Sequence, residues 1–525
     1  MRQTGLVVLL LAAAAAQPAP YDLILKHARV VDGTGSPWFA ADVAIAGDTI
    51  AAIAPAIDAP AARTIDVQGQ VVAPGFIDIH THARRGIDET PTAANYIRQG
   101  VTTVMEGPDG SSPLPLAPFL AHLASMKITI NIGSFAGQGT IRNAVIGDVD
   151  RKATPDEIEK MKGLVEQAMT DGAFGLSTGL FYVPGTFTPT DEVIELATVA
   201  SRYGGIHESH QRDEAATVLD SVKETIAIGE GGHLPTQISH AKVIGTPNFG
   251  QSVQMLALVD AARARGVDVT LDQYPYTASS TSISAALLPS WMLEGGREAT
   301  LKRLKDPGLR EKVKGEIAVT IRDERGGGNL KNVQFASCGF DPSLAGKTLY
   351  DLTVQRKLAP TIRNAADVVM WIVEQGGCSG IFHAMNEADL LRILRHPATM
   401  IASDGEIPVF GRANPHPRSY GTFARVLGVY VREKKALRLE EAIRKMSAFP
   451  AARLGLSDRG VLRPGLKADI AVFDPATVKD LATFTNPHQY AEGFSRVIVN
   501  GRIVFENGSI TEARPGRVLY GPGRR

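Results

Sequence analysis

The feature that most constrains the fold is a repeated alternation of short apolar runs and helical patterns. The apolar runs lie at residues 100–105, 128–132, 172–176, 235–238, 267–271 and 399–401. Helical patterns separate several of them, for example at 155–169 and 217–229. Strand and helix in alternation are typical of a parallel α/β architecture. The length of the region favours a closed (β/α)8 barrel, a TIM-like barrel, over residues 75–455.

Both ends of the chain have a different, purely β pattern. Short alternating segments at 22–25, 29–33 and 42–45 follow one another near the start, and segments at 468–473 and 497–504 repeat the pattern near the end. Chain ends of matched β character usually share a sheet, so we expect a small β-sandwich built from residues 18–74 and 456–525.

Residues 289–364 interrupt the alternation of the barrel. A charge-rich helical stretch at 297–323 is followed by three consecutive glycines at 326–328 and a strand-like segment at 332–335. We interpret this segment as an inserted lid subdomain. No short repeat of fixed period is visible in the sequence, which argues against a solenoid.

Charge and composition narrow the classes of partner. The 525 residues carry 55 Lys and Arg against 55 Asp and Glu, with 44% hydrophobic and 21% charged residues. This composition is typical of a packed globular protein. Without net positive charge or a basic run interleaved with aromatic residues, nucleic acid is not an expected partner. The oligomeric state stays open, with a homo-oligomer as one expectation.

The first residues predict export. Arg2 precedes an apolar run at 6–16, and Ala14 with Ala16 gives the small-residue pattern of a cleavage site. The run is shorter than the ~20 residues that span a bilayer, so we predict a signal peptide at 1–17, no membrane span in the mature chain, and a secreted or periplasmic location. A retained anchor is the alternative. Cys338 and Cys378 are too few for a disulfide framework; we favour free thiols, with one bridge as the alternative.

Four histidines and one aspartate stand where barrel strands are predicted to end. His80 and His82 alternate on one strand, so both imidazoles project to the same side. His210, His240 and Asp404 each follow a further strand, at positions from which barrel enzymes present catalytic groups. Imidazole is a usual ligand of Zn²⁺, so the sequence predicts a metal site. His207 is close in sequence, but we favour a structural role for it, as for the other histidines.

These segments resemble a known family. The run 73–82 together with Asp404 is similar to the amidohydrolase superfamily of metal-dependent barrel hydrolases. More narrowly, the chain resembles the N-acyl-D-amino-acid deacylases, or D-aminoacylases, over nearly its whole mature length. The segments that carry this narrower resemblance lie at 100–104, 175–180, 210–214, 237–242, 272–276, 403–405 and 416–423.

The sequence departs from this family at one metal ligand. Members place a cysteine in a turn after the second strand, whereas Asp109 stands in that register here and Glu106 lies three residues earlier. We expect one of these carboxylates to bridge two ions, with Asp109 as a turn cap being the structural alternative. A carboxylate is a harder ligand than a thiolate, so its presence in place of the cysteine makes Mn²⁺ and Co²⁺ more competitive with Zn²⁺. No lysine is available at the 175–180 strand end to act as a bridge.

The resemblance implies a reaction and a substrate. One or two ions, most readily Zn²⁺, would be held by His80, His82, His210 and His240, and metal-bound hydroxide would attack the amide bond of an N-acyl-D-amino acid or D-configured dipeptide. Asp404 would act as general base and then as acid. Tyr182, Lys242, Ser279 or Ser280, and Arg418 would contact the substrate, with Arg418 on its carboxylate. The alternatives are hydrolysis of a cyclic amide or an N-aroyl amino acid conjugate, and a catalytically silent metal-binding barrel.

Overall fold

The computed structural model describes residues 20–525. The predicted signal peptide lies outside the described residues. Within them, no helix is both long enough and apolar enough to cross a membrane.

The described residues contain 23 strands. In chain order they are β1 (Tyr21–Val30), β2 (Phe39–Ala46), β3 (Thr49–Ala54), β4 (Ala61–Asp66), β5 (Val71–Pro74), β6 (Phe76–Asp78), β7 (Thr81–His82), β8 (Val101–Glu106), β9 (Asn131–Ser134), β10 (Ala136–Gly137), β11 (Gly175–Gly179), β12 (Ile206–His210), β13 (Thr236–Ile238), β14 (Val269–Gln273), β15 (Ser279–Ser282), β16 (Val333–Cys338), β17 (Cys378–Phe382), β18 (Thr399–Ile401), β19 (Gly405–Glu406), β20 (Ile470–Phe473), β21 (Phe494–Val499), β22 (Arg502–Glu506) and β23 (Ser509–Ile510).

The same range contains 17 α-helices. They are α1 (Ala94–Ile97), α2 (Leu116–Ser125), α3 (Gln138–Val145), α4 (Pro155–Asp171), α5 (Thr190–Arg202), α6 (Val218–Gly232), α7 (Ser252–Ala264), α8 (Ile283–Leu287), α9 (Ser290–Leu293), α10 (Gly296–Lys305), α11 (Pro307–Thr320), α12 (Leu349–Gln355), α13 (Ile362–Gln375), α14 (Glu387–Arg395), α15 (Arg418–Arg425), α16 (Leu439–Met446) and α17 (Ala448–Arg453). Short 3-10 turns and two π-helical stretches, Ile321–Arg325 and Val426–Glu433, complete the helical structure.

Eight parallel strands form the barrel in chain order: β6, β8, β9, β11, β12, β13, β14 and β18. Two backbone hydrogen bonds join the ends of the paired runs. Phe174 N–H donates to the Ser134 carbonyl (2.9 Å) between β9 and β11, and Asp404 N–H donates to the His80 carbonyl (2.9 Å) where β18 meets β6. This order of parallel strands agrees with the predicted (β/α)8 barrel.

Local sequence explains the outer helices well, as α4 illustrates. The Thr154 hydroxyl oxygen accepts a hydrogen bond from the Glu157 backbone N–H, and the Glu157 carboxylate accepts one from the Thr154 backbone N–H. Proline occupies the first helical position. The helix ends at Gly172, whose φ of 117° only glycine adopts without strain. These signals delimit the helix that the pattern at 155–169 predicted.

The two chain ends share one sheet of nine strands, as expected from their matched β pattern. β5 pairs with β20, and the sheet divides at β1, which pairs with β4 along its first half and with β5 along its second. The predicted strands at 22–25 and 29–33 are one strand with an irregularity between Leu25 and Ala28. Asn500 and Gly501, both at positive φ, form the tight turn between β21 and β22.

The last residues leave this sheet and lie against the barrel. Ile132 N–H donates to the Arg517 carbonyl (2.9 Å), and Leu519 N–H donates back to the Ile132 carbonyl (2.8 Å). Gly521 N–H then reaches the Gly172 carbonyl (2.8 Å). The segment 515–525 therefore bridges β9 and the residues that lead into β11.

An inserted unit lies between β14 and β18. It contains the antiparallel sheet β15-β17-β16 and helices α8 to α13 around a separate apolar core. The unit runs from Ser279 to Phe382, wider than the predicted 289–364. Cys338 and Cys378 are paired residues of β16 and β17 and form a disulfide, so the expectation of free thiols was wrong. Sequence could not show that these two strands are neighbours.

Candidate metal centre and active site

Six side chains converge at the carboxyl ends of the barrel strands. His80 and His82 follow β6, Asp109 follows β8, His210 ends β12, and His240 and Asp404 follow β13 and β18. Asp109, His240 and Asp404 have positive φ values of 56°, 36° and 51°. This conformation is costly for residues other than glycine and often marks functional sites. Five of them are the residues that the sequence places at strand ends, and the sixth, Asp109, is one of the two carboxylates considered for the bridge.

The six side chains form two groups that share Asp109. His80, His82, Asp109 and Asp404 make one group, and Asp109, His210 and His240 make the other. Asp109 Oδ1 lies 3.4 Å from His80 Nε2, 3.3 Å from His240 Nε2 and 3.5 Å from His210 Nδ1. Asp109 Oδ2 lies 3.4 Å from His82 Nε2. One carboxylate thus faces all four imidazoles.

These spacings fit ligands around a divalent ion. Nitrogen and oxygen ligands at about 2.0–2.1 Å from a tetrahedral Zn²⁺ are about 3.3–3.4 Å from each other. Asp109 Oδ1 and both ring nitrogens of His80 and of His210 are buried without a hydrogen-bond partner among the described residues. Buried polar atoms are normally satisfied, so a cation is the group that this donor set fits. Within the same residues Asp109 accepts no backbone hydrogen bond, which disfavours the turn-cap alternative.

Glu106 lies outside both groups. Its carboxylate accepts a hydrogen bond from the Arg84 backbone N–H (2.8 Å) and lies 3.5 Å from Arg84 Nε. Its position at the last residue of β8 turns the side chain toward the loop after β7. Of the two carboxylates considered from sequence, Asp109 has the bridging position.

Two further carboxylates lie behind the histidines, and sequence reasoning missed them. Glu208 Oε2 is 3.3 Å from His80 Nδ1, and Glu214 Oε1 is 3.2 Å from His240 Nδ1. Each carboxylate faces the Nδ1 side of its imidazole and leaves Nε2 turned toward Asp109, and Lys242 Nζ also lies 2.7 Å from His240 Nδ1. Both residues flank His210 in sequence, but only the fold shows which imidazole each one faces.

Ionisation in the centre follows from burial and from these carboxylates. Burial lowers the pKa of His80, but Asp109 and Glu208 outweigh it and raise the pKa well above its usual value. Burial lowers the pKa of His210. His207 lies outside the centre, between Thr178 Oγ1 (3.0 Å) and Thr236 Oγ1 (2.8 Å), and burial lowers its pKa to about 3. It has the structural setting that sequence favoured.

Asp404 forms an ion pair with Arg418. Arg418 Nη1 lies 2.7 Å from Asp404 Oδ2, while Asp404 Oδ1 lies 3.2 Å from His82 Nε2. Burial raises the pKa of Asp404, but Arg418 and His82 outweigh it and hold the pKa below its usual value. Asp404 is therefore a carboxylate at neutral pH, able to accept a proton.

A cavity of about 800 Å³ lies over the centre, between the barrel and the inserted unit. Tyr182, Lys242, Ser279 and Arg418 all line it, as sequence predicted for the substrate-binding residues. Lys242 is an ion-pair partner of Glu214, and Tyr182 Oη lies 3.1 Å from Thr281 Oγ1. Burial raises the pKa of Tyr182 further above neutrality, so its hydroxyl is a proton-bearing donor.

A family model places the chain among known proteins. The model described as "Amidohydrolase family" matches residues 63–205 and 354–505, which contain four of the six converging side chains, and His210 and His240 lie between the two ranges. The chain belongs to the amidohydrolase family. The segment between the two ranges contains strands β12 to β14 and most of the inserted unit.

Two curated relatives match nearly the whole amidohydrolase chain. A D-aminoacylase of Alcaligenes xylosoxydans xylosoxydans is 38% identical over 95% of this chain and 98% of its own. An N-acyl-D-glutamate deacylase of the same organism is 36% identical over 95% of this chain and 96% of its own. Both figures agree with the narrower resemblance found in the sequence.

Solved structures give the same result. A crystal structure of D-aminoacylase superposes with a TM-score of 0.81 at 37% identity, covering 95% of this chain and all of that one. The N-acyl-D-glutamate deacylase of Bordetella bronchiseptica, complexed with zinc and a phosphonate inhibitor, matches with a TM-score of 0.81 at 34% identity, covering 95% of this chain and all of that one. A D-hydantoinase matches at 16% identity and a TM-score of 0.54, which shows a shared fold alone.

Proposed function

We propose that this amidohydrolase hydrolyses the amide bond of N-acyl-D-amino acids. The observation that carries the proposal is the convergence of four imidazoles on the Asp109 carboxylate, with the Asp404–Arg418 pair beside them in the same cavity. Relatives that cover nearly the whole chain are named for this activity. The arrangement favours an enzyme over a catalytically silent metal-binding barrel. A protein that only binds metal does not need a proton acceptor beside the centre, and the ionised Asp404 is such an acceptor.

The donor set suits one or two divalent ions, with Zn²⁺ the first choice. His80 and His82 would hold one ion, His210 and His240 the other, and Asp109 would bridge them. Such an ion lowers the pKa of water toward 7 and polarises a carbonyl oxygen. Because these five ligands are all nitrogen or oxygen donors, Mn²⁺ and Co²⁺ also fit the centre.

Asp404 would act as the general base and then as the general acid of the hydrolysis. Its carboxylate accepts a proton from the attacking water and delivers it to the amide nitrogen, so that a neutral amine leaves. The ion pair with Arg418 makes Asp404 a weak base before substrate binds. When the substrate carboxylate takes the Arg418 guanidinium, the charge that lowers the pKa of Asp404 is partly neutralised. Substrate binding would thereby strengthen the base.

The substrate carboxylate would be held by the cationic side of the cavity. Arg418 offers a planar pair of donors suited to a carboxylate, and Lys242 adds a second positive charge. Tyr182 contributes a neutral hydroxyl near His210, the ring centroids being 4.7 Å apart. Ser279 has a buried hydroxyl without a hydrogen-bond partner in the described chain and is a further contact.

The decisive experiment measures turnover of N-acetyl-D-leucine and N-acetyl-L-leucine by the chelator-stripped and the Zn²⁺-loaded enzyme. We expect turnover of the D isomer alone, and only after loading. Asp404→Asn should lower kcat by about 10²–10⁴, the usual contribution of a general base, while zinc content measured by mass spectrometry stays at the wild-type level. Full activity of the stripped enzyme, or hydrolysis of a cyclic amide or an N-aroyl conjugate in place of the D substrate, would contradict the proposal.

We also propose export, with residues 1–17 as a signal peptide and a secreted or periplasmic mature enzyme. Arg2 and the apolar run at 6–16 support this proposal, and so does the disulfide between Cys338 and Cys378, since disulfides persist mainly in oxidising compartments. The mass of the mature protein from the producing cells tests it: we expect cleavage near Ala16 or Gln17, and an intact N-terminus would contradict it.

A further inference from the structure

A buried histidine of the cavity wall, His416, has a hydrogen-bond partner on each ring nitrogen. It is 4% exposed and comes two residues before Arg418. Its Nδ1 accepts a hydrogen bond from the Arg418 backbone N–H (3.0 Å), and its Nε2 donates one to the Ala278 carbonyl (3.0 Å). A backbone N–H only donates and a carbonyl only accepts, so the two bonds together require one neutral tautomer, with the hydrogen on Nε2.

The imidazole connects two elements that carry proposed substrate contacts. Arg418 is the first residue of α15, and its backbone N–H is one of the first-turn donors that have no acceptor inside the helix. Ala278 immediately precedes Ser279, the first residue of β15 and of the inserted unit. Arg418 Nη2 also lies 3.5 Å from the Ser280 carbonyl oxygen. His416 therefore ties α15 to the inserted unit beside Arg418 and Ser279.

Aromatic side chains hold the His416 ring in this orientation. Its centroid lies 5.1 Å from that of Phe484, 5.3 Å from that of Tyr276 and 6.1 Å from that of Tyr274. Burial, together with the positive charge of Arg418, lowers the pKa of His416 well below its usual value. The ring is therefore neutral at neutral pH and adds no charge to the cavity, so its contribution is geometric.

We propose that His416 is a positioning residue, which holds Arg418 in place for the substrate carboxylate by fixing its backbone to the inserted unit. The proposal rests on the proposed deacylase function and adds a residue that acts through Arg418. Arg418 Nη1 lies 2.7 Å from Asp404 Oδ2, and the substrate carboxylate has to take over this guanidinium. A long side chain with a fixed backbone loses less conformational freedom when it binds, which strengthens binding.

Three variants separate the two hydrogen bonds from the packing of the ring. His416→Asn keeps an oxygen near the Nδ1 position for the Arg418 N–H but is too short for Ala278. His416→Gln keeps an N–H near the Nε2 position for Ala278 but leaves the Arg418 N–H without this acceptor. His416→Phe keeps an aromatic ring and loses both bonds. His383→Gln is the matched control, because His383 packs against the same Phe484 ring (4.6 Å) while its Nε2 faces Gln334 Oε1 (3.5 Å).

The test compares N-acetyl-D-leucine with N-acetyl-D-leucinamide, which lacks the carboxylate. The Zn²⁺-loaded wild type should prefer the acid in kcat/KM. His416→Asn and His416→Gln should each reduce this preference about 3- to 10-fold, the range for one hydrogen bond, through a higher KM for the acid, and His416→Phe should reduce it further. Zinc content should not change, and His383→Gln should keep the full preference. Equal losses for acid and amide, or an unchanged preference in all three variants, overturn the proposal.

A double variant tests whether His416 acts through Arg418. Arg418→Gln should itself remove most of the preference for the acid. Addition of His416→Phe to this variant should then cause no further loss, because residues that act through one contact are not additive. A further loss as large as that in the wild-type background would mean that His416 acts on the substrate independently, and it overturns the proposal.

A failure of the deacylase function gives a different result. Neither compound would then be hydrolysed by the wild type, and calorimetric binding of the same two compounds would still test His416. Tighter binding of the acid by the wild type, with a smaller difference in His416→Phe, supports the positioning role. Equal binding of acid and amide by the wild type, or an undiminished difference in the variant, overturns it.

Discussion

At the scale of single residues, Asp109 has the most demanding position in the centre. It belongs to both groups of metal-binding side chains, and its backbone has a φ of 56° so that the carboxylate turns back into the barrel mouth. Glu106 is similarly buried and only three residues away, but it is bonded to the Arg84 backbone. The two carboxylates therefore make a matched pair for testing what binds the metal.

Asp109→Asn should weaken zinc binding by at least about 100-fold, more than the loss typical of changes behind the ligands, because the substitution removes the negative charge shared by both ions. Zinc content after dialysis against a competing chelator, measured by mass spectrometry, checks this. Glu106→Gln keeps an acceptor for Arg84 N–H and should retain wild-type zinc content. Equal zinc loss in the two variants would contradict the assignment of the bridge to Asp109.

Much of the centre could be predicted from sequence because its residues end predicted strands. His80, His82, His210, His240 and Asp404 follow apolar runs, and parallel strands bring such positions to one end of a barrel. Glu208 and Glu214 could not be recognised in this way. Glu208 lies within β12 and faces His80, which follows β6, a strand that does not pair with β12, so only the fold brings the two side chains together.

At the scale of elements, the inserted unit determines the outer wall of the cavity. Its sheet brings Ser279 on β15 beside Phe382 on β17, and β17 is bound to β16 by the Cys338–Cys378 disulfide. Sequence predicted that an insert exists, from the break in the strand–helix rhythm. It could not predict the strand β17 as part of the insert, because a short apolar run after a helix is equally typical of a barrel strand.

The disulfide should stabilise this unit measurably. The bridge links residues 40 positions apart, and a closed loop of that length restricts the unfolded chain by about 4 kcal/mol in the entropic model, with 2–4 kcal/mol typical of measurements. Exchange of both cysteines for alanine should therefore lower Tm and increase cleavage by a protease between β15 and β17. Wild type treated with reductant is the control and should approach the variant; identical melting of all three samples would contradict the role.

At the scale of the whole molecule, the two ends of the chain meet in one sheet, and the last residues also bind to the barrel. The first strands and β20 to β23 make one sheet, and the segment 515–525 crosses the bottom of the barrel beside β9. Sequence predicted the shared sheet from matched alternation. The final segment has no such periodicity, since its contacts are backbone hydrogen bonds at single residues. The sequence predicts that it belongs to the β-sandwich of 456–525, whereas it lies along the barrel.

Gly521 tests how far this last segment supports the barrel. A Cβ at this position would lie 2.0 Å from the Ala173 carbonyl oxygen, so Gly521→Ala must displace the segment from the residues that lead into β11. Separation would leave buried backbone groups without partners at about 1–3 kcal/mol each, and we expect Tm to fall by about 2 °C or more per kcal/mol lost. Gly163→Ala is the matched control, because Gly163 lies inside α4 with nothing within 4 Å of the added Cβ. Alanine favours the helix there, so its Tm should stay level or rise by an amount that corresponds to up to about 1 kcal/mol. A Gly521→Ala enzyme that melts with wild type would mean that the segment lies on the barrel without supporting it.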